Sequence, residues 1–237
     1  NIGMGTNVRR SKLDIIGSTS AETMTVGGIS TSQNEVGLSD ALIFLKLEDN
    51  AASTTVTDTQ GLNTCTSSVN TSTLTTTGKI NLGFLFNGAV NVNCGTTIAP
   101  TGAFSFNAWV QSGSGGDAGG VLFGNRSSVS PNVGFRFLKK AGDATKGSFQ
   151  IDTGSTVITV DTTTTINTGS FFMVTGIYNG ITACIYVHGV QEGCGAITGD
   201  AGTGAGNFYL DFSPISGSTR WIGRLDNLLV WPRVLTA

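Results

Sequence analysis

Charge is scarce in this sequence. Lys and Arg number 13 and Asp and Glu 15, so only 12% of the 237 residues are charged and the formal net charge is −2. That is roughly half the usual charged fraction of soluble domains. No basic stripe exists to neutralise phosphates, which argues against a nucleic-acid partner. A ligand must be held by shape, hydrogen bonds and stacking rather than by long-range steering. Histidine is limited to His188, so there is no Cys/His zinc set and no plausible histidine for a nucleophilic triad. Proline occurs only 4 times, unlike a Pro-rich disordered chain. No apolar run approaches the ~20 residues a membrane helix needs, and membrane insertion is not expected. No signal peptide is visible, and the first residue is Asn1 rather than Met. A P-loop and a dinucleotide fingerprint are both missing.

Glycine is plentiful, at 34 residues, and 39% of the chain is apolar. The apolar residues fall in short runs bounded by Gly, Asn and Asp, recurring about every ten to fifteen residues, with no sustained helical periodicity. This predicts an all-β fold of two antiparallel sheets packed face to face. Ala41–Leu47 reads as an inner strand. Val90-Asn-Val-Asn-Cys94 alternates, and Phe104-Ser-Phe-Asn-Ala-Trp-Val110 puts Phe104, Phe106 and Ala108 on one face and Ser105, Asn107 and Trp109 on the other. Further strands are read at 119–124, 134–138 and 147–152. Asn179-Gly180 predicts a type I′ hairpin turn. His188-Gly189 is a second turn, in which His188 takes a position that tolerates positive φ.

The four cysteines, Cys65, Cys94, Cys184 and Cys194, form no CxxC pair. An even count in such a chain predicts two disulfides and an oxidising, extracellular setting; the alternative is four small buried hydrophobes. Cys184 and Cys194 flank the His188-Gly189 turn. A three-residue loop sets them opposite one another, and a two-residue loop leaves them out of register by one. Three pairings are open, and 184–194 with 65–94 is the expected one.

The last stretch, Arg220-Trp-Ile-Gly-Arg-Leu-Asp-Asn-Leu-Leu-Val-Trp-Pro-Arg-Val-Leu-Thr236, runs as a loop, a glycine, an acid, an apolar strand and a Pro-Arg exit. It resembles the closing strand of laminin-G-like, concanavalin A-like jelly-roll domains. Leu82-Gly-Phe-Leu-Phe-Asn-Gly88, Phe104–Val110, Asn167–Tyr178 and Ile181–Val190 resemble further family segments in the family's order, with Asn87 where an Asp is usual. The resemblance covers 39–237 and implies a two-sheet jelly-roll sandwich that binds surfaces, often glycans. Residues 1–38 differ. Asn1-Ile-Gly-Met-Gly-Thr-Asn7 and Ser11-Lys-Leu-Asp-Ile-Ile-Gly17 resemble an element of tail fibres of bacterial viruses. The resemblance implies an extended β arm in which Ile2, Met4, Leu13 and Ile15 pair with other copies of the chain. Residues 18–38 read as an extended connector.

Glycoside hydrolases of this fold need two carboxylates flanking the sugar bond. Glu22, Glu35, Glu48 and Glu192 are scattered, so no enzyme is expected. The family resemblance implies that Asp226, with Glu48 and Asp58 as companions, helps hold a structural calcium; the plain alternative is that Asp226 caps a turn. Trp109, Trp221, Trp231, Tyr178, Tyr186 and Tyr209 are the aromatic candidates for a glycan site; most of them are expected to pack or hold strands together, and Trp221, at a loop end, is the foremost for exposure, with a core or rim role as the favoured alternative to sugar stacking. The expected role is a structural or adhesive subunit of an extracellular assembly, foremost a virion fibre or surface decoration, with a cell-surface glycan as ligand. A surface filament built by donated strands and a free carbohydrate-binding module are the alternatives.

Overall fold

A computed structural model of the chain describes residues 24–26, 29–31, 38, 40–113, 118–212 and 220–235. The chain divides into two units, Asn1–Gly37 and Leu38–Ala237. In the first, β1 (Met24–Val26) pairs antiparallel with β2 (Ile29–Thr31), Val26 opposite Ile29. The extended connector expected here therefore contains a hairpin. Ile2, Met4, Leu13 and Ile15 lie outside the described residues.

In the second unit, Phe104, Phe106, Ala108 and Val110 are all fully buried. Their alternation places β9 (Phe104–Ser112) at the centre of a sheet with one face in the core. The first sheet runs β16 (Val190–Ala196), β15 (Thr182–Val187), β14 (Phe172–Tyr178), β9, β18 (Ile222–Trp231), β7 (Leu82–Asn87), β6 (Thr75–Thr77). Strand β3 (Ile43–Leu45) shares one edge of β18 with β7: β7 takes Ile222–Leu225 and β3 takes Leu228–Val230. The second sheet runs β13 (Val157–Asp161), β12 (Asp143–Thr153), β11 (Val133–Lys140), β10 (Val121–Gly124), β17 (Tyr209–Leu210), β8 (Val92–Asn93), β5 (Cys65–Ser67), β4 (Thr55–Val56). The named strand pairings in both sheets are antiparallel. Among the described residues there is no α-helix, only one 3-10 turn, Thr71–Thr73. This is the jelly-roll sandwich that the sequence resembles.

Aromatic rings fill the space between the sheets. Phe106 meets Phe123 and Phe149 edge to face at 5.0 and 5.1 Å, and Phe104 lies 4.6 Å from Phe135. Full burial of each such ring contributes about 1.5–3 kcal/mol. The C-terminal exit closes the outer side of the first sheet. Ser105 Oγ donates to the Arg233 carbonyl at 2.9 Å, Leu235 N donates to Ser105 Oγ at 3.0 Å, and Arg233 pairs with Asp40. Beneath it Ala41, Phe44, Leu229 and Trp231 form a small separate apolar cluster.

Both disulfides form as expected, Cys65–Cys94 and Cys184–Cys194. The second owes its register to a bulge. His188-Gly189 is a two-residue turn, with φ of 51° and 80° and Val187 opposite Val190. Such a turn alone would leave the cysteines one position out of step. One extra residue, Glu192, shifts the pairing so that Ile185 faces Gly193 and Cys184 faces Cys194. The other turn differs from expectation. Asn179 N donates to the Thr182 carbonyl, and among the turn residues only Gly180 has positive φ, 96°. This is the type II′ pattern, with the glycine first. Asn179 instead accepts from the Ile181 and Thr182 amides through its Oδ1, at 3.0 and 2.8 Å.

Candidate functional site

Asp226 is fully buried at a second bulge, where β18 carries one residue more than β9 and Asn227 adopts φ of 48°. Its Oδ2 accepts from the Lys79 and Ile80 amides at 2.7 and 2.8 Å, and its Oδ1 from Asn227 Nδ2 at 2.7 Å. Burial pushes this carboxyl above the ordinary value; the Ile80 and Lys79 bonds oppose that, and nearby Glu48 adds to it. Asp58 is likewise taken up. Oδ1 receives the Phe44 and Gln60 amides, and Oδ2 the Leu62 and Asn63 amides and Asn63 Nδ2. Glu48 accepts from Asn81 Nδ2 at 3.1 Å. With Lys46, Asp49, Thr57 and Thr59 it lines an open depression of about 230 Å3. Amide hydrogens aim at the oxygens a cation would need, so the donor set at Asp226 and Asp58 does not fit calcium. Among the described residues no three His, Cys, Asp or Glu side chains gather in metal-binding geometry. The two aspartates act as turn organisers, holding the β6–β7 loop and the segment after β4.

Trp221 is not the exposed tryptophan. It is fully buried, its ring 5.9 Å from Phe137 and 5.3 Å from the Lys139 ammonium. The position directly before β18 turns it into the core, so it cannot stack on a ligand. Trp231 is buried too, and Tyr178 fully so. Trp109 is half-buried on the outer face of the first sheet, with the Lys79 ammonium 5.0 Å and the His188 ring 6.0 Å from its ring. Tyr186 is half-buried on that face, its hydroxyl 3.0 Å from Gln191 Oε1. Tyr209 is half-buried on the other sheet.

Tyr209 belongs to a row that crosses the whole second sheet. Successive partners are Thr159, Gln150, Arg136, Gly124, Tyr209, Asn93, Thr66 and Thr55, one residue from each of the eight strands. Phe135, Phe137, Phe149, Ile151, Val92 and Leu210 flank these positions along the strands and are buried. Alternation therefore turns the row outward. All eight are polar except the glycine. The end residues are exposed, and Gln150, Arg136, Tyr209 and Asn93 are half-buried. Arg136 Nε donates to Gln150 Oε1 at 2.8 Å, and Gln150 Nε2 donates to Thr159 Oγ1 at 2.9 Å. Gly124 has φ of 154°, and a Cβ there would meet the Phe135 carbonyl at 2.3 Å. Gly124 is itself buried and packed tightly against β11, and Arg136 and Tyr209 flank it in the row, two strand spacings or roughly 10 Å apart. Phe212 stands 4.7 Å from Tyr209, and the Arg220 guanidinium lies 5.5 Å from the Phe212 ring. The arrangement offers fixed donors and acceptors beside a sheltered aromatic face, the usual equipment for a polyhydroxylated ligand. Sequence reasoning named Tyr209 but missed Arg136, Gln150 and Phe212. The signal for Arg136 was present, because it stands between Phe135 and Phe137 in a strand.

Comparison with known proteins agrees with this architecture. The Laminin_G_3 family profile, described as the concanavalin A-like lectin/glucanases superfamily, matches residues 86–237. The chain belongs to that superfamily. Among solved structures, this concanavalin A-like chain is similar to domain 4 of the GH43 extracellular arabinanase AbnA from Geobacillus stearothermophilus, in complex with arabinotriose. The TM-score is 0.66 at 18% identity, covering 83% of this chain and 94% of that one. It is also similar to the binding domain of Paraclostridial Mosquitocidal Protein 1, with a TM-score of 0.63 at 14% identity, covering 83% of this chain and 50% of the other. A botulinum neurotoxin type C structure, whose cell entry depends on interaction with two ganglioside molecules, gives 0.61 at 13% identity, with 83% and 49% coverage. The chain thus spans about half the length of the two toxin chains. At these identities the likeness is one of fold. No curated protein matches by sequence. The lectin-type sandwich and two disulfides point to an extracellular location, and no helix among the described residues is long and apolar enough to cross a membrane.

Proposed function

We propose that this concanavalin A-like domain binds a glycan across the outer face of its second sheet, as the adhesive part of an extracellular assembly. The observation that carries the reading is the row of seven polar side chains that crosses the sheet, with Phe212 beside its Tyr209. Successive sugars along a glycan would take hydrogen bonds from Gln150, Arg136 and Asn93, while the apolar face of one rests on Tyr209. The arabinotriose held by the AbnA domain and the gangliosides named for the neurotoxin support a sugar ligand on this fold. The row itself contains no carboxylate, which favours binding over hydrolysis. The fibre-like sequence of 1–17 supports attachment to other copies of the chain, with a virion fibre as the assembly.

A glycan array probed with the full chain, followed by calorimetry on the best ligand, tests the site. Tyr209→Ala is expected to weaken binding at least tenfold, about 1.4 kcal/mol, with Trp109→Ala unchanged within twofold. Loss of binding on Trp109→Ala with Tyr209→Ala unaffected would move the site to the opposite sheet.

A further inference from the structure

The charges around the row are unequal. Arg126 donates through Nε to Asp152 Oδ2 at 2.8 Å and is neutralised there, and Lys140 pairs with Asp161 at 3.0 Å. Arg136 is different. It is half-buried, its bonded partner is the neutral Gln150, and no ion pair among the described residues includes it. Burial, with the Arg126 cation adding to it, lowers its guanidinium to about 10, so it stays cationic at neutral pH. At the other rim Arg220 donates to the Asp211 carbonyl at 3.0 Å and lies over Phe212, without a carboxylate partner among the described ion pairs. A chain of net charge −2 thus places Arg136 in the row and Arg220 beside Phe212, neither in a direct ion pair among the described residues, with the Asp152 and Asp211 carboxyls acting on them at longer range. A partly desolvated cation is costly until an anion reaches it, and a guanidinium presents a fork that fits a carboxylate.

Resting on the reading of the row as a glycan site, we infer that its ligand is an acidic glycan whose sugar carboxylate, from a uronic or a sialic acid, pairs with Arg136 while a ring packs against Tyr209. The carboxylate would approach through the Arg136 nitrogens not committed to Gln150.

The test is calorimetry of the full chain with four probes: α-1,4-linked tetragalacturonate, its methyl ester, 3′-sialyllactose and lactose. The methyl ester keeps the shape and removes the charge. The acid form of at least one pair is expected to bind tenfold or more tightly than its neutral counterpart. Which pair responds separates a uronic from a sialic source. In Arg136→Gln the preference is expected to fall below twofold, and Arg136→Lys should restore part of it. Equal binding of charged and neutral forms, weakened alike by Tyr209→Ala, would overturn the acidic preference and leave the glycan site standing. A blank result with these probes together with a blank glycan array would overturn both. The acid-to-neutral ratios of the two pairs in the unaltered protein decide the matter even where a variant fails to fold.

Discussion

Asp211 is the residue whose chemistry departs furthest from expectation. It is fully buried at φ of 51°, and its Oδ1 accepts from the Trp221 amide at 2.8 Å. Its Oδ2 has no hydrogen-bond partner among the described residues. Burial raises its carboxyl to about 7, with the Trp221 amide and the Arg220 cation opposing. The unfolded chain releases this proton near the ordinary value of about 4. Between those pH values the folded state holds more protons, so stability falls as pH rises, by up to about 1.4 kcal/mol per unit. In Asp211→Asn this residue's share of the slope should vanish, which urea titrations of the variant and the unaltered chain at a series of pH values will show. Glu192 behaves oppositely. Burial alone would raise it, but bonds from Thr164 and Thr163 more than offset this and hold it below the usual range. Its contribution is kept at neutral pH and lost only as acid protonates it. The same residue scale shows where sequence reasoning stops. Trp221 follows a Gly-Ser-Thr loop and looks exposed, yet the cavity beside Phe137 and Lys139 takes it; nothing within five residues of it encodes that cavity.

At the level of elements, two bulges do work that no local pattern reveals. Strand alternation was legible at Phe104–Val110, and the His188-Gly189 turn was legible from its residue types. The extra residue at Glu192 was not, because a bulge is set by what the neighbouring strand needs. It is nonetheless what puts Cys184 opposite Cys194. The bulge at Asp226–Leu229 likewise aims the Asp226 carboxylate at the Lys79 and Ile80 amides. Asp226→Ala would strand those amides, at a cost of about 1–3 kcal/mol, and added calcium or chelator should leave the melting temperature of the unaltered chain unchanged. The disulfides give a second expectation. Each contributes about 2–4 kcal/mol, but the sequence separations are 29 for Cys65–Cys94 and 10 for Cys184–Cys194. Loop-closure entropy scales with the logarithm of that separation, so replacing Cys65 and Cys94 by Ser should cost about 1 kcal/mol more than replacing the other pair. Denaturant unfolding of the two double variants compares them.

For the whole molecule, the sandwich was readable because each strand carries its own periodicity and the family segments follow in order. The candidate site was not readable, because its row gathers Thr55, Thr66, Asn93, Gly124, Arg136, Gln150, Thr159 and Tyr209 from strands whose spatial order differs from their chain order. Register between distant strands is a property of the closed sheets, not of any window of sequence. If residues 1–37 mediate assembly, sedimentation should show association by the full chain and a monomer for 38–237, which contains both sheets and their core. The most direct test of the central claim is amide chemical-shift mapping of the labelled chain during titration with its best-binding glycan. Shifts are expected to concentrate at Asn93, Gly124, Arg136, Gln150 and Tyr209. Shifts centred instead on Trp109 and His188, or on Glu48 and Thr57, with the row silent, would contradict it.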